Sequence, residues 1–129
     1  VNAPKKIQYL KENKALSLVW ADRTDMLACE YLRVYSPSAE VRGHGLEEPI
    51  LVPGKREVGL NGMDAVGRYA VRLRFDDGHS TGLYTWPALR ELADQHAVLW
   101  PQYLARLEAA GMSRDSSLIT LAGLGVRKS

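Results

Sequence analysis

Short apolar runs broken by polar clusters set the rhythm of the first third of the chain. Ile7 to Leu10 and Ala15 to Trp20 flank the polar Lys11-Glu12-Asn13-Lys14, the pattern of two strands joined by a turn, and Leu16, Leu18 and Trp20 share one face of the second. Asp22 or Thr24 is placed to accept from free backbone N–H groups at the start of a short helix from Asp25 to Tyr35. Leu27, Tyr31, Val34 and Tyr35 recur there near helical spacing, so one side should pack on the sheet. Pro37 biases Ser36 away from the helical region and argues against continuation. Gly43, Gly45, Pro49, Pro53 and Gly54 then mark a loop from Arg42 to Gly54.

The strongest strand pattern is Arg68 to Phe75, where Tyr69, Val71, Leu73 and Phe75 alternate with Arg68, Ala70, Arg72 and Arg74. It runs into Asp77-Gly78, suited to the positive φ angles of a primed hairpin turn, and Ser80 to Thr85 returns as its partner. Val58 to Val66 reads as a further strand, weakened by Gly59 and Gly62. A helix from Trp86 to Asp94 carries Pro87 in its first turn, where a missing N–H is tolerated. A second, Val98 to Ala110, has Pro101 in its first turn, a Leu99, Tyr103, Leu107 stripe widened by Leu104, and Gly111 as C-cap. Strands followed mainly by helices predict an α+β fold of two layers, a mostly antiparallel sheet packed by helices. Phe75 and the three tryptophans, Trp20, Trp86 and Trp100, are expected to dominate its core.

The 129 residues, 46% hydrophobic and 25% charged, suit one soluble domain, read as residues 1–112, with 113–129 as a C-terminal tail that is either mobile or a docking segment. Seventeen basic against 15 acidic residues leave a net charge of +2, too small a field to argue for nucleic acid or an anionic membrane. Cys29 is the only cysteine, which excludes an internal disulfide or a CxxC motif and suits the cytoplasm. It reads as a small buried residue rather than a reactive thiol. No secretory signal is expected, since Lys5 and Lys6 precede no apolar stretch.

Familiar catalytic motifs do not occur. His44, His79 and His96 are followed two places on by Leu46, Thr81 and Val98, so none opens the His-x-Asp or His-x-Glu of an iron oxygenase. Gly54-Lys55 has Pro49 where a P-loop begins and Arg56 where Ser or Thr belongs. No nucleophile elbow is present. No catalytic residue and no cofactor are therefore expected.

Two segments carry a resemblance: Glu30-Tyr31-Leu32-Arg33-Val34-Tyr35-Ser36-Pro37-Ser38-Ala39-Glu40-Val41, and Gly67 to Val71 through Asp77-Gly78-His79-Ser80-Thr81-Gly82-Leu83-Tyr84-Thr85-Trp86. Together they resemble the gamma-butyrobetaine hydroxylase-like N-terminal domain, a family whose members stand alone in bacteria or are fused to an iron dioxygenase or to ATPases of iron–sulfur assembly. The resemblance covers residues 5 to 112 and implies an accessory module, linked to iron-dependent or iron–sulfur proteins, more than a catalyst. It also implies a structural zinc in the hydroxylase branch, held by three cysteines and a histidine. Aligned through Leu32-Arg33, those positions are Ser36, Ser38, Val41 and His79. Three of the four donors are thus replaced, and neither zinc nor iron is expected, with His44 and Glu40 as the residues from which a replacement site would have to draw.

Arg68, Arg72 and Arg74 share one face of a period-two strand and concentrate charge within ~14 Å. They are the candidate surface for a protein partner, with a homodimer left open. The alternative is a small enzyme or metal-dependent ligand-binding protein using His79 and His44. A pocket converging on both histidines favours the alternative; a buried His79 beside an arginine-bearing surface favours the module.

Overall fold

The computed structural model describes residues 2–38 and 49–115. Its elements run β1 (Lys6–Leu10), β2 (Ala15–Val19), β3 (Thr24–Ala28), α1 (Cys29–Val34), β4 (Leu60–Val66), β5 (Ala70–Phe75), β6 (Leu83–Thr85), α2 (Trp86–Asp94) and α3 (His96–Ala109). The fold is α+β, but its strands form two antiparallel sheets, ordered β1-β2-β3 and β4-β5-β6, rather than one. One core joins them. Leu16, Leu18 and Leu27 of the first sheet and Val71, Leu73, Phe75 and Tyr84 of the second lie in a single buried cluster.

The expected helix from Asp25 is half strand. Thr24–Ala28 pairs along β2, with Leu16 opposite Leu27 and Leu18 opposite Asp25. Leu27 is buried while Met26 is 59% exposed, the alternation of a strand. Asp22 caps nothing; its carboxylate binds the Arg90 guanidinium of α2 through two hydrogen bonds, of 2.9 and 2.6 Å. Helix α1 starts at Cys29 without a side-chain cap. A run of five residues cannot separate a half-buried strand from one side of a helix, and the pairing with β2 decided the matter.

Tyr69 is 54% exposed because it belongs to the Gly67-Arg68-Tyr69 turn, in which Gly67 adopts φ 55°, and the strand begins only at Ala70. The β5–β6 connection places positive φ on Gly78 alone, and Phe75 N–H reaches His79 O at 2.9 Å across a three-residue loop. β6 is correspondingly short, and residues 80–82 are not strand.

Helix α2 occupies the expected residues, with Thr85 Oγ1 accepting from Ala88 N–H at 3.2 Å. Helix α3 begins two residues early, at His96, so Pro101 sits in its interior. Leu104 points outward while Tyr103 and Leu107 are buried. At the end of α3, Gly111 (φ 68°) gives its N–H to Glu108 O and Met112 N–H reaches Leu107 O at 2.9 Å, which satisfies two terminal carbonyls.

Of the expected core aromatics Phe75 and Trp20 are buried, whereas Trp86 and Trp100 are only partly covered. Tyrosines take their place. Tyr31, Tyr35, Tyr84 and Tyr103 are buried and donate to Leu92 O, Leu99 O, Leu32 O and Val52 O at 2.5–2.7 Å. Leu32 and Leu92 lie in last helical turns, where carbonyls lack helical partners, so each hydroxyl satisfies a group that burial would otherwise penalise. Among the described residues no helix is long and apolar enough to cross a membrane.

Candidate functional site

Helix α1 ends at Val34, and the residues just after it pack against the β5–β6 connection. Ser36, fully buried, places Oγ 2.9 Å from His79 Nε2. The same Oγ accepts from Ser38 N–H at 3.3 Å, and Ser38 Oγ lies 2.7 Å from Thr81 Oγ1. Gly82 permits this approach, because a Cβ there would stand 2.6 Å from Ser36 Oγ. Thus Ser36, Ser38 and His79, apart in sequence, meet in space. Val41, His44 and Glu40 lie outside the described residues.

Asp77 orients the hairpin. One carboxylate oxygen accepts His79 N–H at 3.0 Å, and the other binds Arg33 Nε at 2.8 Å and Lys55 Nζ at 2.7 Å. Burial opposes its charge, but Lys55, the His79 amide and Arg33 outweigh it and hold the carboxyl at about 2, against an ordinary 3.8.

The donors at 36, 38 and 79 are two neutral hydroxyls and one imidazole, and they do not fit a structural zinc, which takes four thiolate, imidazole or carboxylate ligands. Among the described residues no three His, Cys, Asp or Glu side chains converge as a metal group. A serine on a histidine nitrogen has the outline of a nucleophile and its base, but here Ser36 is buried and His79 only 5% exposed. Hydrogen bonds here do the joining. Cys29 is likewise buried, and loss of solvation, aided by Asp76, pushes its thiol up to about 12.

The arginines divide. Arg72 and Arg74 point outward from β5, while Arg68 sits in the β4–β5 turn, where its carbonyl accepts Trp86 Nε1–H at 2.7 Å. Arg74 Nε binds Asp64 on β4 at 2.8 Å, both side chains nearly half exposed. Among the described residues Arg72 has no ion pair. The expected stripe is therefore a pair on one strand and a third residue at its end.

Sequence reasoning missed a second anchor on α1. Glu30, 5% exposed, receives two hydrogen bonds from the Arg114 guanidinium, at 2.8 and 2.7 Å, and that guanidinium also lies 5.3 Å from the centre of the Trp100 ring. Gly54 N–H and Arg56 N–H bond to Ser113 O and Arg114 O at 2.9 and 3.0 Å, so residues 113–115 are docked on the loop before β4. An acid at the second position of a short helix was the available signal; nothing local names its partner. Beside this strap is a hollow of about 340 Å³ whose lining includes Lys14, Glu30, Glu57 and Arg114, side chains already paired as Lys14–Glu57 and Glu30–Arg114.

A family model described as gamma-butyrobetaine hydroxylase-like, N-terminal, matches residues 7–90. Two solution NMR structures are similar at TM-score 0.78. One is 50% identical and aligns 88% of this chain with 90% of its own, and the other is 45% identical over 90% and 87%. A 1.93 Å crystal structure of a DUF971-family protein of unknown function from Acidithiobacillus ferrooxidans is 38% identical over 70% of this chain and 91% of that one, at TM-score 0.58. No curated protein is significantly similar.

Proposed function

The chain belongs to the gamma-butyrobetaine hydroxylase-like N-terminal family, and from that premise we propose that it is a non-catalytic docking module of the cytoplasm that works without zinc. The observation that carries this reading is the state of His79: its ring is buried against Phe75 and bonded to Ser36, not presented to a hollow. A catalytic partnership with His44 finds no support in the surroundings of His79. Arg72 and Arg74, on the solvent face of β5, supply the docking charge, and an acidic protein surface is the complementary partner. Nucleic acid is a poor match for a chain of net charge +2. The family's fusions make iron-dependent or iron–sulfur proteins the first partners to examine.

Affinity capture from the native cell extract tests this, comparing the wild type with Arg72→Gln/Arg74→Gln across a salt series. Capture is expected to fall in the double variant and to lose salt dependence, since exposed charges are screened over ~8 Å at physiological ionic strength. Equal recovery at every salt concentration would move docking to another surface.

A further inference from the structure

Among the described residues no strand pairs with the outer edge of β4. Its sheet is ordered β4-β5-β6, and among the described residues no backbone group of Leu60–Val66 bonds outside the β5 ladder. The other edges are blunted: β1 carries Lys6 and follows Lys5, β3 packs against α2, and β6 has three residues. A register shift between Leu60 and Gly62 leaves Gly62–Val66 as the regular run, ~17 Å long.

On β5, Leu73 N–H and Phe75 N–H bond toward β6, to Gly82 O and His79 O. The alternate residues Ala70, Arg72 and Arg74 therefore serve Val66, Asp64 and Gly62 of β4, and the peptide groups of Met63 and Ala65 face the open edge. The outward face beside that edge is cationic. Gly62 has no side chain, and a Cβ there would collide with the Arg74 guanidinium, which lies across β4 toward its rim. Asp64 is held by Arg74 and stands opposite Arg72 in register, and among the described residues Arg72 has no ion pair of its own.

We propose that the open edge of β4 is a strand-addition site for an extended partner segment with acidic side chains at alternate positions. Main-chain bonds to Met63 and Ala65 hold the segment, and its acids meet Arg74 and Arg72. A second copy fits less well, since it brings the same guanidiniums to the shared edge. The inference rests on the docking reading above and specifies how the partner sits.

The probe is a peptide of about eight residues with glutamate alternating with threonine and valine, beside a lysine counterpart. On binding the glutamate peptide, the amide signals of residues 62–66 should shift and the Met63 and Ala65 amides gain protection from exchange. The lysine peptide should bind at least about tenfold more weakly at low salt. Ala65→Pro removes an outward N–H without a ladder bond and should weaken binding by about tenfold, while Arg72→Gln/Arg74→Gln should weaken it several-fold. If the arginine variant loses the peptide but the wild-type amides of 62–66 stay unmoved, strand addition is wrong and the docking reading stands. If both peptides bind alike, or neither binds, the acidic partner itself is wrong. A concentration-dependent dimer abolished by Ala65→Pro would overturn the proposal by assigning the edge to a second copy.

Discussion

The two ends of α1 are anchored to distant parts of the chain by opposite chemistry. Near its start, Glu30 meets Arg114, 84 residues on, in a two-bond ion pair; just past its end, Ser36 meets His79, 43 residues on, through a single hydroxyl–imidazole hydrogen bond. Both sites are buried, so both must be satisfied, but the penalty for leaving them unsatisfied differs. A lone carboxylate in the interior is far costlier than a lone imidazole nitrogen. The ion pair therefore makes residues 113–115 part of the stability of the domain, although the family match ends at residue 90.

The sharpest way to break that comparison is Arg114→Ala, expected to destabilise by about 3 kcal/mol because Glu30 is left charged and covered. Urea unfolding measures it, and Glu30→Gln in the same background should restore part of the loss. A cost below about 1 kcal/mol would show that the strap is peripheral. Ser36→Ala comes next, at about 1–2 kcal/mol, since it removes the buried hydroxyl bonded to His79 Nε2 and to the Ser38 amide. Were its cost to exceed that of Arg114→Ala, the ranking of charged over neutral anchors would be reversed.

Acid sharpens the hairpin side. The Asp77 carboxyl is held at about 2 when folded, below its ordinary 3.8, so its stabilisation is complete above pH 4 and is lost as pH falls through 2. Because the group is partly solvated, the loss is about 1 kcal/mol. Asp77→Asn should remove this component from the stability profile between pH 5 and 2, and an unchanged profile would assign acid sensitivity elsewhere. The smallest effect belongs to Arg72→Gln/Arg74→Gln, about 0.5 kcal/mol or less in thermal unfolding, because both side chains point into water. A larger loss would mean that the Arg74–Asp64 pair supports the sheet rather than a partner.

The hairpin anchor was legible and the strap was not, for a physical reason. Ser36, Ser38 and His79 were nominated together by a motif resemblance that already encodes their proximity, and the structure brings them within bonding distance. Arg114 lies among polar and glycine residues whose composition carries no packing signal. The tyrosines were underestimated similarly: size favours tryptophan in a core, but a phenolic hydroxyl can also donate to backbone carbonyls, among them those of Leu32 and Leu92 in last helical turns.

By itself the sequence determined the α+β class, strands β1, β2, β4 and β5, helix α2, and the outward direction of Arg72 and Arg74. These follow from periodicities and turn residues acting over a few positions, where steric and solvation preferences are local. Only the tertiary structure decided that Thr24–Ala28 is strand, that the strands divide into two sheets, that Glu30 finds Arg114, and that β4 pairs on one side only among the described residues. Each of these is a competition for hydrogen-bond or charge partners between segments far apart in the chain, and the winner depends on which surfaces the shared core brings together.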